Sequence, residues 1–253
     1  TAYYKDIENL IATRDVAIGG GGTIVTSFAN VDFSNVQGLD LKLTKRRSRY
    51  FFGSINYSLM FARGLAPEET YAYYNIIGVA AEDFPQKQYP LDFDQRHTLT
   101  LNMDLRTPRD WQGKFLGVAP LSGSWGMNVI GRYGSGMPYT KYSQKTGERV
   151  GGRNEYRMPF TFTIDARINR DFYFGESSRY LSVFVEVENL FNRRNVVNVY
   201  NTTGLWDDDG VEYTDGGALV TEQRASELYD LITNDPQHLG PPRTIRTGLQ
   251  FNF

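Results

Sequence analysis

The feature that most constrains this chain is strict alternation of apolar and polar side chains, repeated in segment after segment. In Arg243 to Phe253, Ile245, Thr247, Leu249, Phe251 and Phe253 fall on one parity, and Thr244, Arg246, Gly248, Gln250 and Asn252 fall on the other. A period of two is the signature of a strand with one apolar and one polar face. Leu181, Val183, Val185 and Val187 alternate with Ser182, Phe184, Glu186 and Glu188. The same pattern sets Phe160, Phe162, Ile164, Ala166 and Ile168 against Thr161, Thr163, Asp165, Arg167 and Asn169. It also sets Leu99, Leu101, Met103 and Leu105 against Thr98, Thr100, Asn102 and Asp104. Weaker examples lie at Trp125 to Tyr133, Gly53 to Phe61 and Leu39 to Thr44, and a loose one at Tyr3 to Ile11. The pattern predicts about eight strands of roughly ten residues, the length that crosses a bilayer at a tilt.

The connectors also differ in length. Arg46 to Arg49 and Gly175 to Arg179 are short, and Thr107 to Gly123 is an exception on the same side. Ala12 to Asn30, Arg63 to Pro90, Lys141 to Pro159 and Asn201 to Pro242 are long and polar, and they read as loops. Short turns at one end and long loops at the other are the plan of a transmembrane barrel. Aromatic residues mark both ends of the strands. Tyr50, Phe51, Phe52, Phe172, Tyr173, Phe174, Tyr180 and Phe253 fall near short turns, whereas Phe61, Tyr133, Tyr139 and Tyr200 fall near long loops. Such girdles match the interfacial preference of Tyr, Trp and Phe. A soluble sandwich also alternates, but its strands are commonly five or six residues long.

Composition narrows the function classes. With 27 basic and 29 acidic residues there is no overall pull toward nucleic acid. The chain has no cysteine and only His97 and His238, which disfavours thiol chemistry, zinc–thiolate sites and histidine metal clusters. Its 17 Tyr, 16 Phe and 25 Gly favour strands and turns. Thr1 opens without an initiator Met, so the chain is expected to be processed or truncated.

Several segments, in order, resemble the C-terminal part of TonB-dependent outer-membrane receptors. Val187-Glu188-Asn189-Leu190-Phe191-Asn192 is similar to that family's V-x-N-L-F-N signature. Pro90 to His97 resembles its D-x-R-H segment, and Ser124-Trp125-Gly126 with Tyr133 to Thr140 resembles its W…SG-x-P-Y segment. Asp165 to Phe172 is like its D-x-R-I-x-K/R-x-F, and Phe253 is like its barrel-assembly signal, with Phe251 two residues before it. The resemblance implies an all-β chain forming an antiparallel transmembrane β-barrel segment over 1–253. It would be part of a 22-stranded barrel, with short periplasmic turns and long extracellular loops. No plug domain is present in the sequence.

Ion-paired walls and aromatic loops are the candidate sites. Asp40, Lys42, Asp104, Arg132, Asp165, Arg167, Glu186, Glu188 and Arg246 fall on the polar, lumen-facing parity with both signs mixed. Cross-strand ion pairs are therefore expected. These charges read first as wall structure and second as contacts for a plug or a passing solute. Tyr71, Tyr73, Tyr74, Tyr142, Trp206 and Tyr213 supply loop aromatics able to stack on a sugar or an aromatic chelate. Asp207-Asp208-Asp209-Gly210 lacks the spaced ligands of a calcium loop and reads as a solvated acidic turn. Gly19 to Gly22 lacks phosphate-loop context and reads as a flexible loop. Thr221 to Thr233 has the pattern of a short helix. His97 falls on the outward parity and His238 precedes Pro241-Pro242, so no Ser–His–acid set shares a location and no enzyme is expected.

By resemblance, the chain is the C-terminal barrel portion of a receptor for TonB-dependent uptake of a scarce solute. Siderophore–iron, cobalamin, an oligosaccharide and a peptide are the substrate classes, and no cofactor is implied. The implied partners are outer-membrane lipid, the N-terminal plug and remaining strands, the TonB energy-transducing complex, the barrel-assembly machinery and a small-molecule or oligomer ligand. Nucleic acid is not among them. The implied location is the outer membrane of a Gram-negative bacterium. The alternatives are a complete eight-stranded barrel acting as adhesin or anchor, and a soluble carbohydrate-binding sandwich.

Overall fold

The computed structural model describes residues 1–18, 23–64, 88–111, 123–175, 178–210 and 233–253. Eight long strands form one antiparallel sheet in chain order: β1 (Ala2–Ile18), β2 (Thr23–Lys45), β3 (Phe51–Gly64), β4 (His97–Arg106), β5 (Trp125–Gly134), β6 (Thr161–Tyr173), β7 (Tyr180–Glu188) and β8 (Thr244–Asn252). Each long strand pairs with its sequence neighbour, the up-and-down order of a barrel wall. Among the described residues β1 and β8 do not pair with each other, so the wall is open. Both alternatives weaken here, because a closed eight-stranded barrel needs that seam and a sandwich needs a second sheet of long strands, whereas the described residues add only two two-residue pairings.

Register confirms the two faces. Leu43, Ile55, Leu101, Gly131 and Ile164 stand opposite one another across five strands. The adjacent row, on the other parity, is Lys42, Asn56, Thr100, Arg132 and Thr163. Because side chains alternate sides, a consistent register keeps the apolar set on one surface of the whole sheet. That surface is uncovered: Leu43 is 69% exposed, Leu249 70% and Ile245 60%. A continuous apolar surface on this scale needs an apolar partner, and lipid is the partner a barrel wall meets. Among the described residues the buried hydrophobic ones are few, and Val36, Ala62 and Leu91 cluster beside Tyr3 and Met60 near the long-loop end.

One expected loop is a correction. Ala12 to Ile18 and Thr23 to Asn30 are not loop; they extend β1 and β2 as a paired hairpin whose register runs from Ile11 opposite Asn30 to Ile18 opposite Thr23. β2 therefore spans 23 residues, and the hairpin continues past the end of β3, where Ser34 faces Gly64. The physical reason is local. β-branched Thr13, Val16, Ile18, Thr23, Ile24, Val25 and Thr26 favour extended backbone, and the pairing satisfies their amides. A register shift beside Asn9, whose φ is +61°, marks a bulge within β1. The quadruple glycine 19–22 and most of the expected helix, 221–232, lie outside the described residues.

Short connections are tight. Ser48 closes the β2–β3 turn by donating its N–H to the Phe51 carbonyl at 2.9 Å. Phe174 N–H donates to the Arg179 carbonyl at 3.1 Å across the β6–β7 turn, where Gly175 takes φ +64°. The long connections carry small structure of their own. Tyr89–Pro90 pairs with β3, Pro138–Tyr139 with Tyr156–Arg157, and Lys141–Tyr142 with Arg149–Val150. Pro236–His238 forms a 3₁₀ turn whose Asp235 carboxylate accepts from Gln237 N–H at 2.8 Å.

Candidate functional site

The polar face carries a ladder of opposite charges. Asp104, Asn128, Arg167, Glu186 and Arg246 form one row across five neighbouring strands. Arg167 Nη1 lies 3.5 Å from Glu186 Oε2, and Arg246 Nη2 lies 3.9 Å from Glu186 Oε1 while also contacting Glu188. Arg132 contacts Asp165 one row away. Asp104 is held by Arg106 at 3.1 Å and Arg47 at 3.7 Å. The expected cross-strand pairs are therefore present, and every one of Asp104, Arg132, Asp165, Arg167, Glu186, Glu188 and Arg246 has an opposite charge beside it.

Exposure sets what these pairs contribute. Arg246 is 56% exposed and Glu186 30%, so each pair stabilises by about 0–1 kcal/mol. Their larger effect is to fix side-chain positions on a wet surface. The Arg167 guanidinium also sits 4.2 Å from the Phe184 ring centre, which accounts for an aromatic on the polar parity. A polar cleft lies where this face nears the short turns, bordered by Asp104, Asn128, Arg167, Asp171, Ser182 and Gln250 among others. There Ser182 Oγ donates to Asp171 Oδ1 at 2.6 Å, and Asn169 Nδ2 donates to the same oxygen at 3.0 Å.

Above the wall, the motifs quoted from the sequence form a hydrogen-bonded collar. Asp94 is 1% exposed. Its Oδ1 accepts the Ala62 N–H at 2.9 Å, Arg157 contacts its Oδ2, and Arg96 Nε lies 3.5 Å away. Asn154 is also buried, with φ +51°, and its Nδ2 donates to the Pro90 carbonyl at 2.9 Å and Asp92 Oδ1 at 2.6 Å. His97 N–H donates to Ser135 Oγ at 3.0 Å, which ties the start of β4 to the end of β5. A Cβ at Gly136 would lie 1.6 Å from the Met158 carbonyl oxygen, so only glycine fits that approach. His97 itself is exposed on the outward side, with Nδ1 2.9 Å from Tyr57 Oη.

The Val187 to Asn192 segment closes the same end of β7. Asn189 takes φ +51°, donates its N–H to Asp165 Oδ1 at 2.9 Å and its Nδ2 to the Pro241 carbonyl at 3.1 Å. Asn195 pairs with the backbone of Phe162 in both directions, accepting its N–H at 2.8 Å and donating to its carbonyl at 3.0 Å. An amide side chain there stands in for a strand partner. Beyond their likeness to family signatures, these segments carry Asp94, Asn154, Asn189, Asn195 and Arg157 as structural anchors, a role that the alternation of the strands does not reveal. The signal available was an Asp or Asn at each strand's loop end, where short side chains hydrogen-bond locally and tolerate positive φ.

Of the six loop aromatics, the structure describes Tyr142 and Trp206, whereas Tyr71, Tyr73, Tyr74 and Tyr213 lie outside the described residues. Tyr142 and Trp206 belong to adjoining segments: Tyr142 N–H donates to the Asn201 carbonyl at 2.9 Å, and Lys141 Nζ to the Thr203 carbonyl at 3.4 Å. The Trp206 carbonyl lies 2.9 Å from Nδ1 of buried His238, whose ring packs edge-on against Tyr200 at 4.6 Å. Burial raises the Tyr139 and Tyr200 phenols above their ordinary range, reinforced by Tyr156 for the first and by Asp235 and Asp209 for the second. The Asp207 to Gly210 turn is held by its own loop: Gly210 N–H donates to Asp208 Oδ1 at 2.7 Å and Thr202 Oγ1 to the Asp209 carbonyl at 2.6 Å. No group of three His, Cys, Asp or Glu able to hold a metal occurs among the described residues.

Phe251 and Phe253 end the apolar face at the short-turn rim. Phe253 is 93% exposed, and its ring lies 5.1 Å from that of Phe251, which in turn lies 5.8 Å from Phe174.

Residues 1–190 match the family described as TonB dependent receptor-like, beta-barrel. The chain belongs to that family. TonB-dependent receptor barrels lie in the outer membrane of Gram-negative bacteria, and the two-faced wall is that of a membrane barrel segment. Among solved structures, the outer membrane transporter YddB from Escherichia coli resembles this chain with a TM-score of 0.51 at 13% identity. The likeness covers 77% of this chain and 26% of that one, so the chain spans about a quarter of YddB's length and shares a stretch of its fold. No curated protein matches the sequence.

Proposed function

We propose that this chain is the C-terminal barrel portion of a receptor that imports a scarce solute across the outer membrane, driven by the TonB energy-transducing complex. The observation that carries the reading is the paired wall: an uncovered apolar face backed by the row Asp104–Asn128–Arg167–Glu186–Arg246. The apolar face meets lipid. The charged face borders a wet lumen, where it contacts an N-terminal plug domain and the remaining strands complete the barrel. The edges of β1 and β8, unpaired among the described residues, are where those strands would join.

Ligand capture belongs to the long loops, because a rigid wall holds them in place and leaves their tips open. Tyr142 and Trp206, with Tyr71, Tyr73, Tyr74 and Tyr213, are the aromatic surfaces offered to a siderophore chelate, cobalamin, an oligosaccharide or a peptide. The buried collar around Asp94 and Asn154 supports the loop bases and contributes no reactive group. The family and the solved neighbour support a receptor and carrier role for the whole protein. Phe251 and Phe253 serve the barrel-assembly machinery during insertion.

The test is the intact mass and N-terminal sequence of the native polypeptide in outer-membrane fractions, followed by uptake assays with candidate solutes. A chain several times 28.8 kDa with a plug-like domain ahead of Thr1 and energy-dependent uptake is expected. A native chain of 28.8 kDa beginning at Thr1 would remove import and favour an adhesin or anchor.

A further inference from the structure

The turn between β2 and β3 carries more charge than its geometry requires. Lys45-Arg46-Arg47-Ser48-Arg49-Tyr50 places four bases in six residues with no acid among them, and all four are exposed. Ser48 closes the turn, donating its N–H to the Phe51 carbonyl at 2.9 Å and its Oγ to the same oxygen at 3.2 Å. None of the four basic side chains is needed to build it. Neighbouring elements do little to neutralise them. On the lumen side, Asp104 of β4 lies 3.7 Å from Arg47 and 3.1 Å from Arg106, so two guanidiniums share one carboxylate. Arg49 holds its guanidinium 5.2 Å from the Tyr50 ring centre, a contact that adds no negative charge. Lys45 and Arg46 have no acidic partner among the described residues. The turn and the β4 residues that touch it thus hold five bases and one acid.

Position decides which kind of anion meets these bases. Leu39, Leu41, Leu43 and Lys45 share the outward parity of β2, and Leu41 and Leu43 are exposed on the apolar surface. Lys45 follows Leu43 by two residues, about 7 Å along the strand and about 5 Å along the membrane normal at a barrel's tilt. The headgroup layer on each side of the hydrocarbon is about 5–7 Å deep. The bases therefore leave the apolar band directly into that layer. So short a turn does not carry them past it to a soluble acidic partner. Phe51, on the outward parity, lies over Gly53, where an added Cβ would come within 2.7 Å of the ring. An aromatic ring packed there suits the same interface.

We infer that the β2–β3 turn is a docking patch for anionic glycerophospholipid headgroups on the short-turn side of the membrane. Lys45, Arg46 and Arg49 meet the phosphates, while Asp104 holds Arg47 toward the lumen. The inference rests on the membrane-wall reading and adds a headgroup preference located at one turn. Each cation near an anionic surface adds attraction, which salt screens within a Debye length.

The experiment uses the intact receptor carrying this chain, purified in detergent, stripped of lipid and incubated with phosphatidylglycerol or phosphatidylcholine of identical acyl chains. Native mass spectrometry reads the lipid retained. Phosphatidylglycerol should be kept about fivefold over phosphatidylcholine at low salt, and the preference should shrink as salt rises. Lys45→Gln with Arg46→Gln should cut it to under about twofold, and Lys45→Arg with Arg46→Lys should keep it. Lys145→Gln with Arg149→Gln, which removes the same charge from an exposed long loop, should leave it unchanged. Heat-modifiable migration checks the folding of each. If the first pair misassembles, Asp104→Asn, which releases Arg47 and Arg106, should raise the preference. Equal retention of both lipids, a preference that survives the first pair or falls equally in the long-loop pair, or no rise in Asp104→Asn would overturn the patch. Binding of a hexaglutamate peptide without any lipid preference would overturn it too, because an acidic protein segment would then be the partner. Retention of neither lipid by a receptor soluble without detergent would overturn the membrane wall and the patch with it.

Discussion

Glu186 and Arg246 stand directly opposite each other on β7 and β8, and Arg246 bridges both Glu186 and Glu188. One residue along, Val185 faces Thr247 on the other side of the sheet and is 43% exposed. Neighbouring positions in one strand thus lie on opposite faces of the sheet. Val185→Arg should place a charge on the lipid side at a cost of about 2–4 kcal/mol, whereas Glu186→Gln should cost about 0–1 kcal/mol. Urea unfolding of the receptor in lipid vesicles measures both, and equal costs would show that the faces are misassigned.

Asp94 is the collar's most buried charge, and its removal leaves the Ala62 N–H without its acceptor and Arg157 with only the residue-94 backbone carbonyl in place of its carboxylate partner. Asp94→Ala should destabilise by about 2–3 kcal/mol, while Arg96→Ala, on a more exposed partner, should cost under about 1 kcal/mol. Comparing their midpoints in heat-modifiable migration tests the order.

Asn189 combines a positive φ with side-chain hydrogen bonds, two demands that separate on substitution. Asn189→Gly keeps the backbone and loses the bonds; Asn189→Ala loses both. Stability should fall in the order Asn, Gly, Ala, with Ala lowest by about 2–3 kcal/mol. An Ala variant as stable as the Gly variant would mean that the backbone conformation is not required.

Phe184 lies over Gly248 on the polar face, where an added Cβ would come within 2.6 Å of the ring. Gly248→Val should destabilise by about 1–3 kcal/mol, and Phe184→Ala should relieve most of that added cost. A double-mutant cycle with no coupling would contradict the contact.

Deleting Phe253 should reduce the amount of barrel inserted in cells more than it slows folding in detergent. Its ring is almost fully exposed at the end of β8, so its loss removes little packing. Equal defects in both assays would remove the assembly role.

Much of the wall was legible because alternation and register share one physical basis. Once Val183, Val185 and Val187 fall on one parity, pairing fixes the parity of Ile168 and Thr247 as well. The charge pairs followed for the same reason. The β1–β2 extension was missed because a glycine-rich sequence between Ile18 and Thr23 looked like the middle of a long loop, although its flanks carry strand formers. The collar was missed for a different reason. Asp94 contacts Arg157, 63 residues away, and no periodicity links positions joined by loop geometry.

The central claim is that consecutive residues of β7 face lipid and water in turn. The chain has no cysteine, so single cysteines at Val185 and Glu186 in a cysteine-free receptor can be probed one at a time. In outer-membrane vesicles, Glu186→Cys should react with a water-soluble maleimide, and Val185→Cys should resist it but react with a lipid-phase probe. Equal labelling of both by the water-soluble reagent would contradict the membrane wall.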